Sequence, residues 1–244
     1  MILVIRKKQL LLSAGLLLFL FGLGFTLHAG TEASLETLGP LASGSPVVVI
    51  DAGHGGADGG AVSADGTIES SLNLQISLRL NDLLRLLGQQ TEMTRREDIS
   101  IHSEDADTLH EKKVSDLKNR VALVNGLDRA VLISIHQNKL PSSPKVHGAQ
   151  AFYNHVDGSA AIAKSIQTSL NQSINRSNPK SEKKISPKIY LMKNVTAPAV
   201  LVECGFLSNP AETDQLKDGQ YQLRLAAAIA AGYLNCDSSG KEVP

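Results

Sequence analysis

Short apolar runs alternate with amphipathic stretches along this chain, and the alternation predicts strands followed by helices. Runs that are rich in β-branched residues and bounded by glycine or polar residues are typical of buried strands. The clearest example is VVVI at residues 47–50, which leads into a glycine-rich segment. The predicted strands span residues 47–50, 92–95, 130–135, 148–153, 189–192 and 199–203.

The stretches between these runs carry apolar residues three or four positions apart, which gives each stretch one apolar stripe. The first stripe consists of Leu72, Ile76, Leu80, Leu83 and Leu87. Such spacing predicts a helix that packs one face on a core. The predicted helices span residues 69–87, 111–125, 158–170, 212–217 and 221–234. Residues 171–187 are polar and basic and are predicted to form a mobile loop.

Strands that alternate with helices favour a mostly parallel, twisted sheet with helices on both faces. The alternation runs from residue 46 to residue 236 without an internal repeat. We therefore predict an α/β fold in a single domain of residues 46–236, followed by a disordered tail at 237–244.

The first 45 residues have a different composition from the rest. Arg6, Lys7 and Lys8 precede an uncharged, mostly apolar run at residues 9–27. A basic end followed by an apolar run of this length indicates an export signal or a membrane anchor. We predict a signal peptide or membrane anchor at residues 1–30 and a linker at 31–45. The domain is then extracytoplasmic, either secreted or held at the membrane by its N-terminal segment.

The charge balance argues against one class of partner. The chain has 24 basic and 24 acidic residues and no net charge, whereas a nucleic-acid partner is marked by a basic excess. The absence of Trp and an aromatic content of 4% argue against stacking platforms for bases or sugars. Cys204 and Cys236 are predicted to be free, partly buried thiols, although export would allow a disulfide.

Three predicted strands end in side chains that bind metals or exchange protons. His54 follows the first strand, His136 follows the strand at 130–135, and Glu203 ends the strand at 199–203. A histidine in a glycine-rich turn is often only a solvated turn residue. Because the carboxyl ends of parallel strands meet at one edge of a sheet, these three side chains are expected to converge.

Glu69 begins the first helix and can reach the same edge. Two imidazoles and one carboxylate are the ligand set of catalytic zinc, with the fourth position left for water. Zinc lowers the pKa of that water to near 7, and a carboxylate outside the ligand set can move its proton. Glu203 follows three apolar residues, and burial raises a carboxyl pKa, so we predict Glu203 as the general acid and base. His54, Glu69 and His136 are the predicted zinc ligands.

Five segments in this order resemble the zinc-dependent type-3 family of N-acetylmuramoyl-L-alanine amidases. They are VVVIDAGHGG (47–56), ESSLNLQISLRL (69–80), LKNRVALVN (117–125), VLISIHQN (131–138) and APAVLVECGFLSNPAE (197–212). The segment ECGFLSN is most similar to the corresponding segment of the germination-specific, spore-cortex members. The resemblance implies a six-stranded sheet, zinc held by the three residues already named, and a catalytic glutamate at Glu203. It also implies peptidoglycan as substrate, cleavage between the muramic acid lactyl group and L-alanine, and a role in preparing muramic lactam.

Two further residues are predicted to support the ligands. Asp51 precedes His54 by three positions and is expected either to hold its imidazole or to serve as a strand-end turn residue. Members of the family commonly have Ala-Asn after the second histidine, whereas this chain has Gln137 and Asn138. We expect this difference to alter the groove wall or a contact of Asn138 behind the ligands.

Other functions remain open on the sequence alone. The chain is expected to be a zinc amidase, but an enzyme that needs an activating protein partner to hold zinc, or a wall-binding protein without activity, has the same domain. A zinc peptidase or deacetylase on the same scaffold is a further alternative. Zinc content and mass spectrometry of digested peptidoglycan separate these possibilities.

Overall fold

A computed structural model describes residues 46–236 of the chain. The predicted targeting segment at 1–30, the linker at 31–45 and the tail at 237–244 lie outside these residues. Within the described range, none of the helices combines the length and the apolar character that a membrane crossing requires.

Six strands and six helices follow one another in the described part of the chain. The strands are β1 (Val47–Ala52), β2 (Thr91–Met93), β3 (Ala130–Asn138), β4 (Gln150–Tyr153), β5 (Lys183–Lys184) and β6 (Ala199–Phe206). The helices are α1 (Glu69–Leu86), α2 (Leu109–Asn125), α3 (Ser159–Ser173), α4 (Tyr190–Asn194), α5 (Pro210–Lys217) and α6 (Gly219–Leu234).

The strands form one sheet in the order β2-β1-β3-β6-β4-β5. β1 pairs in parallel with β2 and with β3, and β3 pairs in parallel with β6. β4 is antiparallel to β6 and parallel to β5. In the sequence α1 connects the parallel neighbours β1 and β2, and α2 lies between β2 and β3, which flank β1 on opposite sides, so each of these crossovers contains a helix. The predicted α/β class with a mostly parallel, six-stranded sheet is confirmed.

Both faces of the sheet are buried. Successive strand residues point to opposite sides, so one apolar strand contributes side chains to both faces. Val48 and Ile50 belong to the larger core, which α1, α3 and α6 complete. Val49 and Leu132 belong to the smaller core on the other face, with residues of α2 and α4. Burial on both faces explains why these strands are continuous apolar runs rather than alternating ones.

One predicted strand is wrong and one strand was not predicted. Residues 189–192 lie at the start of α4, where Leu191 and Met192 are buried while Tyr190 is 40% exposed. A run this short does not distinguish a strand from one helical turn. The strand that was not predicted is β5. It lies inside the segment predicted as a mobile loop, and both of its lysines are exposed. It therefore carries no apolar signal.

β3 and β6 are longer than predicted, so that His136 lies within a strand rather than after it, and Glu203 lies inside its strand rather than at its end. The two residues are opposite each other in the parallel register, and the register shifts between His136 and Asn138. In both strands the backbone pairing continues beyond the last residue of the apolar run. Because the residue that follows the run is polar in each strand, the apolar pattern ends before the strand does. Cys204 and Cys236 are both buried and are not joined in a disulfide bond.

Gly232 marks a close approach of α6 to α3. A Cβ atom at this position would lie 2.4 Å from the Cα atom of Ile166 and 2.9 Å from the backbone oxygen of Ser165. These are backbone atoms of a packed helix, so a larger side chain can be accommodated only if the helices separate.

Gly232→Ala is therefore expected to destabilise the domain. Removing a glycine from a helix favours the variant by about 0.5–1 kcal/mol. Overpacking at a closed helix crossing opposes this by about 1–3 kcal/mol, and we expect overpacking to dominate. The measurement is the free energy of unfolding in urea, with Ala231→Ser at an exposed position of the same helix as the control. A more stable Gly232→Ala variant would contradict the close crossing.

Candidate metal centre

His54 lies in the glycine-rich loop after β1 and has a left-handed backbone conformation. Its φ angle is 60°, and the following Gly55 and Gly56 have φ angles of 135° and 58°. A residue with a Cβ in this region costs about 1–2 kcal/mol, so neighbouring groups must hold it there. Gly55 and Asp58 exchange backbone hydrogen bonds of 2.9 and 3.2 Å, which closes the loop.

Gly53 leaves room for the imidazole of His136. A Cβ atom at Gly53 would lie 2.3 Å from the Nε2 atom of His136. The backbone N–H of Gly53 donates to the carbonyl oxygen of Ile135 at 3.1 Å, so the β1–β3 pairing continues up to this point. The parallel pairing thus brings the loop of His54 directly beside His136.

The structure brings His54, Glu69 and His136 together. One potential ligand atom from each lies within 4.8 Å of the other two. Glu69 Oε1 is 3.4 Å from His54 Nε2 and 3.0 Å from His136 Nδ1. Two imidazole nitrogens and one carboxylate oxygen that converge in this way fit the donor set of Zn²⁺. The three residues therefore have the arrangement predicted for a zinc site, and their role as ligands stays a prediction.

The carboxylate of Glu69 is oriented by further donors. Oε2 accepts the backbone N–H of Ala61 at 2.8 Å, and Oε1 accepts the N–H of Gln137 at 3.1 Å and the amide of Asn73 at 3.3 Å. Burial alone would raise the pKa of Glu69, but hydrogen bonds and charges of the two histidines hold that pKa well below its ordinary value. Glu69 is thus ionised, which is the state that a metal ligand needs.

Glu203 reaches the same place from β6. Its Oε2 atom is buried and has no hydrogen-bond partner among residues 46–236. Burial raises the pKa of this carboxyl to about 7, while the histidines lower it and Glu69 raises it further. A carboxyl group with a pKa near neutrality can both accept and donate a proton at neutral pH.

The carboxylate that contacts the imidazole of His54 belongs to Asp58, not to Asp51. Asp58 Oδ2 is 3.0 Å from His54 Nδ1 and 3.1 Å from Lys113 Nζ. A carboxylate on one ring nitrogen fixes the tautomer and leaves the other nitrogen, here Nε2 beside Glu69, free for a metal. Asp58 lies in a polar loop without periodicity, so the sequence did not mark it.

Asp51 acts on His54 only through Arg120. The Nη1 atom of Arg120 donates to Asp51 Oδ1 at 2.5 Å, and its Nη2 atom donates to the carbonyl oxygen of His54 at 2.8 Å. Ser134 donates its hydroxyl to Asp51 Oδ2 at 2.6 Å. Burial alone would raise the pKa of Asp51, but the charge of Arg120 and these hydrogen bonds hold the pKa below its ordinary value.

Gln137, rather than Asn138, supports the ligands from β3. The carbonyl oxygen of Asn138 accepts the N–H of Leu207 at 2.8 Å, which continues the backbone pairing. The side chain of Gln137 donates to Asn73 Oδ1 at 3.2 Å, and Asn73 also donates to the carbonyl oxygen of Gly53 at 3.1 Å. Asn73 lies four residues after Glu69, on the same helix face, and this spacing is the signal that could have identified it.

A cavity of about 340 Å³ opens beside the cluster. His54, His136 and Glu203 line it, together with Lys113 of α2 and with Lys188 and Tyr190 near the start of α4. Concave sites of this size are typical places for part of a substrate. The two histidines and the carboxyl group of Glu203 thus face a common space.

Comparisons with known proteins agree with this geometry. A sequence model described as N-acetylmuramoyl-L-alanine amidase matches residues 48–235. The germination-specific N-acetylmuramoyl-L-alanine amidase of Bacillus subtilis is 36% identical over 235 residues, which cover 94% of this chain and 95% of the relative. N-acetylmuramoyl-L-alanine amidase AmiA of Escherichia coli is 26% identical over 235 residues, with coverages of 79% and 76%.

Solved structures of amidases are similar in fold. The CwlD amidase from Clostridioides difficile, solved in complex with the GerS lipoprotein, has a TM-score of 0.74 and 37% identity, and covers 79% of this chain and 100% of its own. An N-acetylmuramoyl-L-alanine amidase from Clostridium difficile 630 has a TM-score of 0.67 and 30% identity, with coverages of 79% and 96%.

Asp51→Asn tests the buried ion pair beneath the His54 loop. The variant leaves Arg120 with one carboxylate fewer, and at pH 7 we expect the free energy of unfolding to fall by about 3 kcal/mol. Because the folded-state pKa of Asp51 lies below its ordinary value of 3.8, its contribution is present above the unfolded-state pKa and is lost as the pH falls through the folded-state pKa. The difference between wild type and variant should shrink from about pH 5 towards about pH 3.

Urea denaturation at several pH values measures this difference. Asp157→Asn, at an exposed position after β4, is the control and should leave the stability nearly unchanged at each pH. A stability difference for Asp51→Asn that stays constant across the acid range would show that Asp51 is not ionised in the folded protein.

Proposed function

The chain belongs to the N-acetylmuramoyl-L-alanine amidase family and is an amidase, and from this premise we propose a zinc-dependent mechanism. The bond cut joins the lactyl group of N-acetylmuramic acid to L-alanine of the peptidoglycan stem peptide. The observation that carries the proposal is the convergence of two imidazoles and one carboxylate beside Glu203, whose buried Oε2 atom has no hydrogen-bond partner among residues 46–236.

His54, Glu69 and His136 are the residues that would hold the ion. Zn²⁺ bound there would polarise the lactyl carbonyl group and lower the pKa of a water molecule towards neutrality. Asp58 keeps the tautomer of His54 through its Nδ1 atom, and the backbone N–H of Gln137 keeps Glu69 in place.

Glu203 moves the proton in this mechanism. As water adds to the lactyl carbonyl carbon, the carboxylate of Glu203 accepts the proton that the water loses. It then gives this proton to the nitrogen of L-alanine as the C–N bond breaks, which yields a carboxylic acid and a free amine. The pKa of about 7 makes both steps accessible at neutral pH.

Relatives of this chain suggest where the reaction takes place. The germination-specific amidase of Bacillus subtilis supports spore-cortex peptidoglycan as the substrate of this chain. We infer that removal of stem peptides there prepares muramic acid for lactam formation. The CwlD amidase solved with the GerS lipoprotein supports a protein partner for this chain as well. We place the domain in the extracytoplasmic compartment. Residues 1–30 would deliver the domain to that compartment.

Mass spectrometry of digested peptidoglycan tests the reaction. An amidase releases intact stem peptides that begin with a free L-alanine amine and leaves glycan strands with free lactyl groups. Shortened stem peptides would indicate a peptidase instead, and loss of acetyl groups would indicate a deacetylase.

Glu203→Gln separates proton transfer from metal binding. The variant removes the proton carrier but none of the three potential ligands, so zinc content should stay at the wild-type level. Release of stem peptides should fall by on the order of 10³-fold. His155→Ala, at an exposed position outside the cluster, is the control for both measurements. Wild-type rates in Glu203→Gln would exclude Glu203 from proton transfer.

Asp58→Asn tests the support of His54. An amide in this position no longer holds the imidazole as an ionised acceptor, and we expect zinc affinity to fall by about 10-fold. The control is Asp65→Asn in the same loop, because Asp65 pairs with Lys217 at 2.6 Å instead of with a histidine. Competition with a chromophoric chelator measures both affinities, and equal losses would mean that the loop as a whole, not Asp58, is responsible.

A further inference from the structure

Two buried arginines hold the loop that carries His54. Arg95 donates from Nε to the carbonyl oxygen of Ala52 at 2.9 Å and from Nη2 to that of Gly53 at 3.0 Å. Arg120 donates from Nη1 to Ala52 at 2.8 Å and from Nη2 to the carbonyl oxygen of His54 at 2.8 Å. Three successive carbonyl groups, including that of a predicted ligand, are therefore fixed by guanidinium groups.

Arg95 also connects this loop to the start of α1. The Nη2 atom that binds the carbonyl oxygen of Gly53 donates at 2.8 Å to the carbonyl oxygen of Ser70, the residue after Glu69. A guanidinium group is planar and rigid, with its donors at fixed angles. One side chain thus sets the separation between the chain segments that carry His54 and Glu69.

Arg120 is itself held in a defined orientation. Its Nε atom donates to Asp116 Oδ2 at 2.7 Å on the same helix, and its Nη1 atom donates to Asp51 at the end of β1. The side chain is 2% exposed and that of Arg95 is buried as well. Such side chains have few alternative rotamers, so the loop is fixed against rigid groups.

The environment of Arg95 differs from that of Arg120. Its nearest carboxylate, that of Asp98, is 4.0 Å away and 60% exposed, so its close partners are backbone carbonyl groups. Burial lowers the pKa of Arg95, and the charge of Arg120 lowers it further. Because a buried charge without a close counter-ion is unfavourable, Arg95 is costly as a purely structural residue.

We propose that Arg95 and Arg120 are positioning residues that set the zinc affinity of the site. They fix the backbone of residues 52–54, and thereby hold His54 in its left-handed conformation at the correct distance from Glu69. This inference rests on the proposed zinc site. Groups behind metal ligands commonly change metal affinity by about 10–100-fold when they are removed.

The test compares zinc affinity with the stability of the metal-free protein. Arg95→Lys and Arg120→Lys in the full chain keep the positive charge but lose the fork of donors. We expect the dissociation constant for zinc, measured by competition with a chromophoric chelator, to rise by about 10–100-fold. The melting temperature of each metal-free variant is measured in parallel.

Asn175→Ala is the matched control for a lost side-chain contact to the backbone. Asn175 is buried and bonds both backbone groups of Ala149, donating at 2.8 Å and accepting at 2.9 Å, beside β4 rather than beside the cluster. This variant should lower the melting temperature of the metal-free protein without changing the dissociation constant for zinc.

The possible results are distinct. If the arginine variants lose stability as Asn175→Ala does but bind zinc with wild-type affinity, the arginines are only structural and the inference is wrong. If the wild-type chain itself binds no zinc, the proposed function fails and the inference fails with it. Should Arg120→Lys not fold, Arg95→Lys and Arg95→Gln decide the question, because Arg95 makes its own hydrogen bonds to the carbonyl oxygens of Ala52 and Gly53.

Discussion

The candidate site depends on the parallel pairing of β1, β3 and β6. In this register Ala52 lies opposite Ile135, and His136 lies opposite Glu203, so that three strand ends meet at one edge. Because side chains alternate between the faces of a sheet, a slip of one residue between β3 and β6 would move either His136 or Glu203 to the other face. The apolar residues that bury both faces fix the register, and the core of the domain therefore determines the geometry of the site.

Three carboxyl groups at this edge differ in protonation because their neighbours differ. Asp51 pairs with Arg120 and Glu69 accepts hydrogen bonds from several donors, so both have a lowered pKa. The Oε2 atom of Glu203 is buried without a hydrogen-bond partner among the described residues, and burial raises the pKa of this carboxyl group to about 7. The proposed division between ligand and proton carrier is consistent with the placement of donors, because a carboxylate with several donors stays charged and one without them can exchange a proton.

The sequence predicted the parts of the molecule that depend on burial and periodicity. The strands around His54, His136 and Glu203 are continuous apolar runs, and parallel pairing alone implies that their ends converge. Asp58 was missed because it lies in a polar loop without periodicity. Arg95 was predicted as the last residue of the strand at 92–95, and its contacts with residues 52 and 53, which are 43 and 42 positions away, have no signal in the sequence. The predictions for the short elements β5 and α4 were wrong for a related reason. A segment of so few residues has too little pattern to distinguish a strand from a turn of helix.

The four side chains of the cluster are not held equally firmly by secondary structure. His136 and Glu203 lie on strands whose positions the sheet fixes, and Glu69 begins a helix packed on the core. His54 lies on a loop and has a positive φ angle, so neither a strand nor a helix holds it. Loops position side chains less accurately than strands or helices do. The buried guanidinium groups and the carboxylate of Asp58 gather around this residue because its loop is the part of the site that secondary structure leaves unfixed.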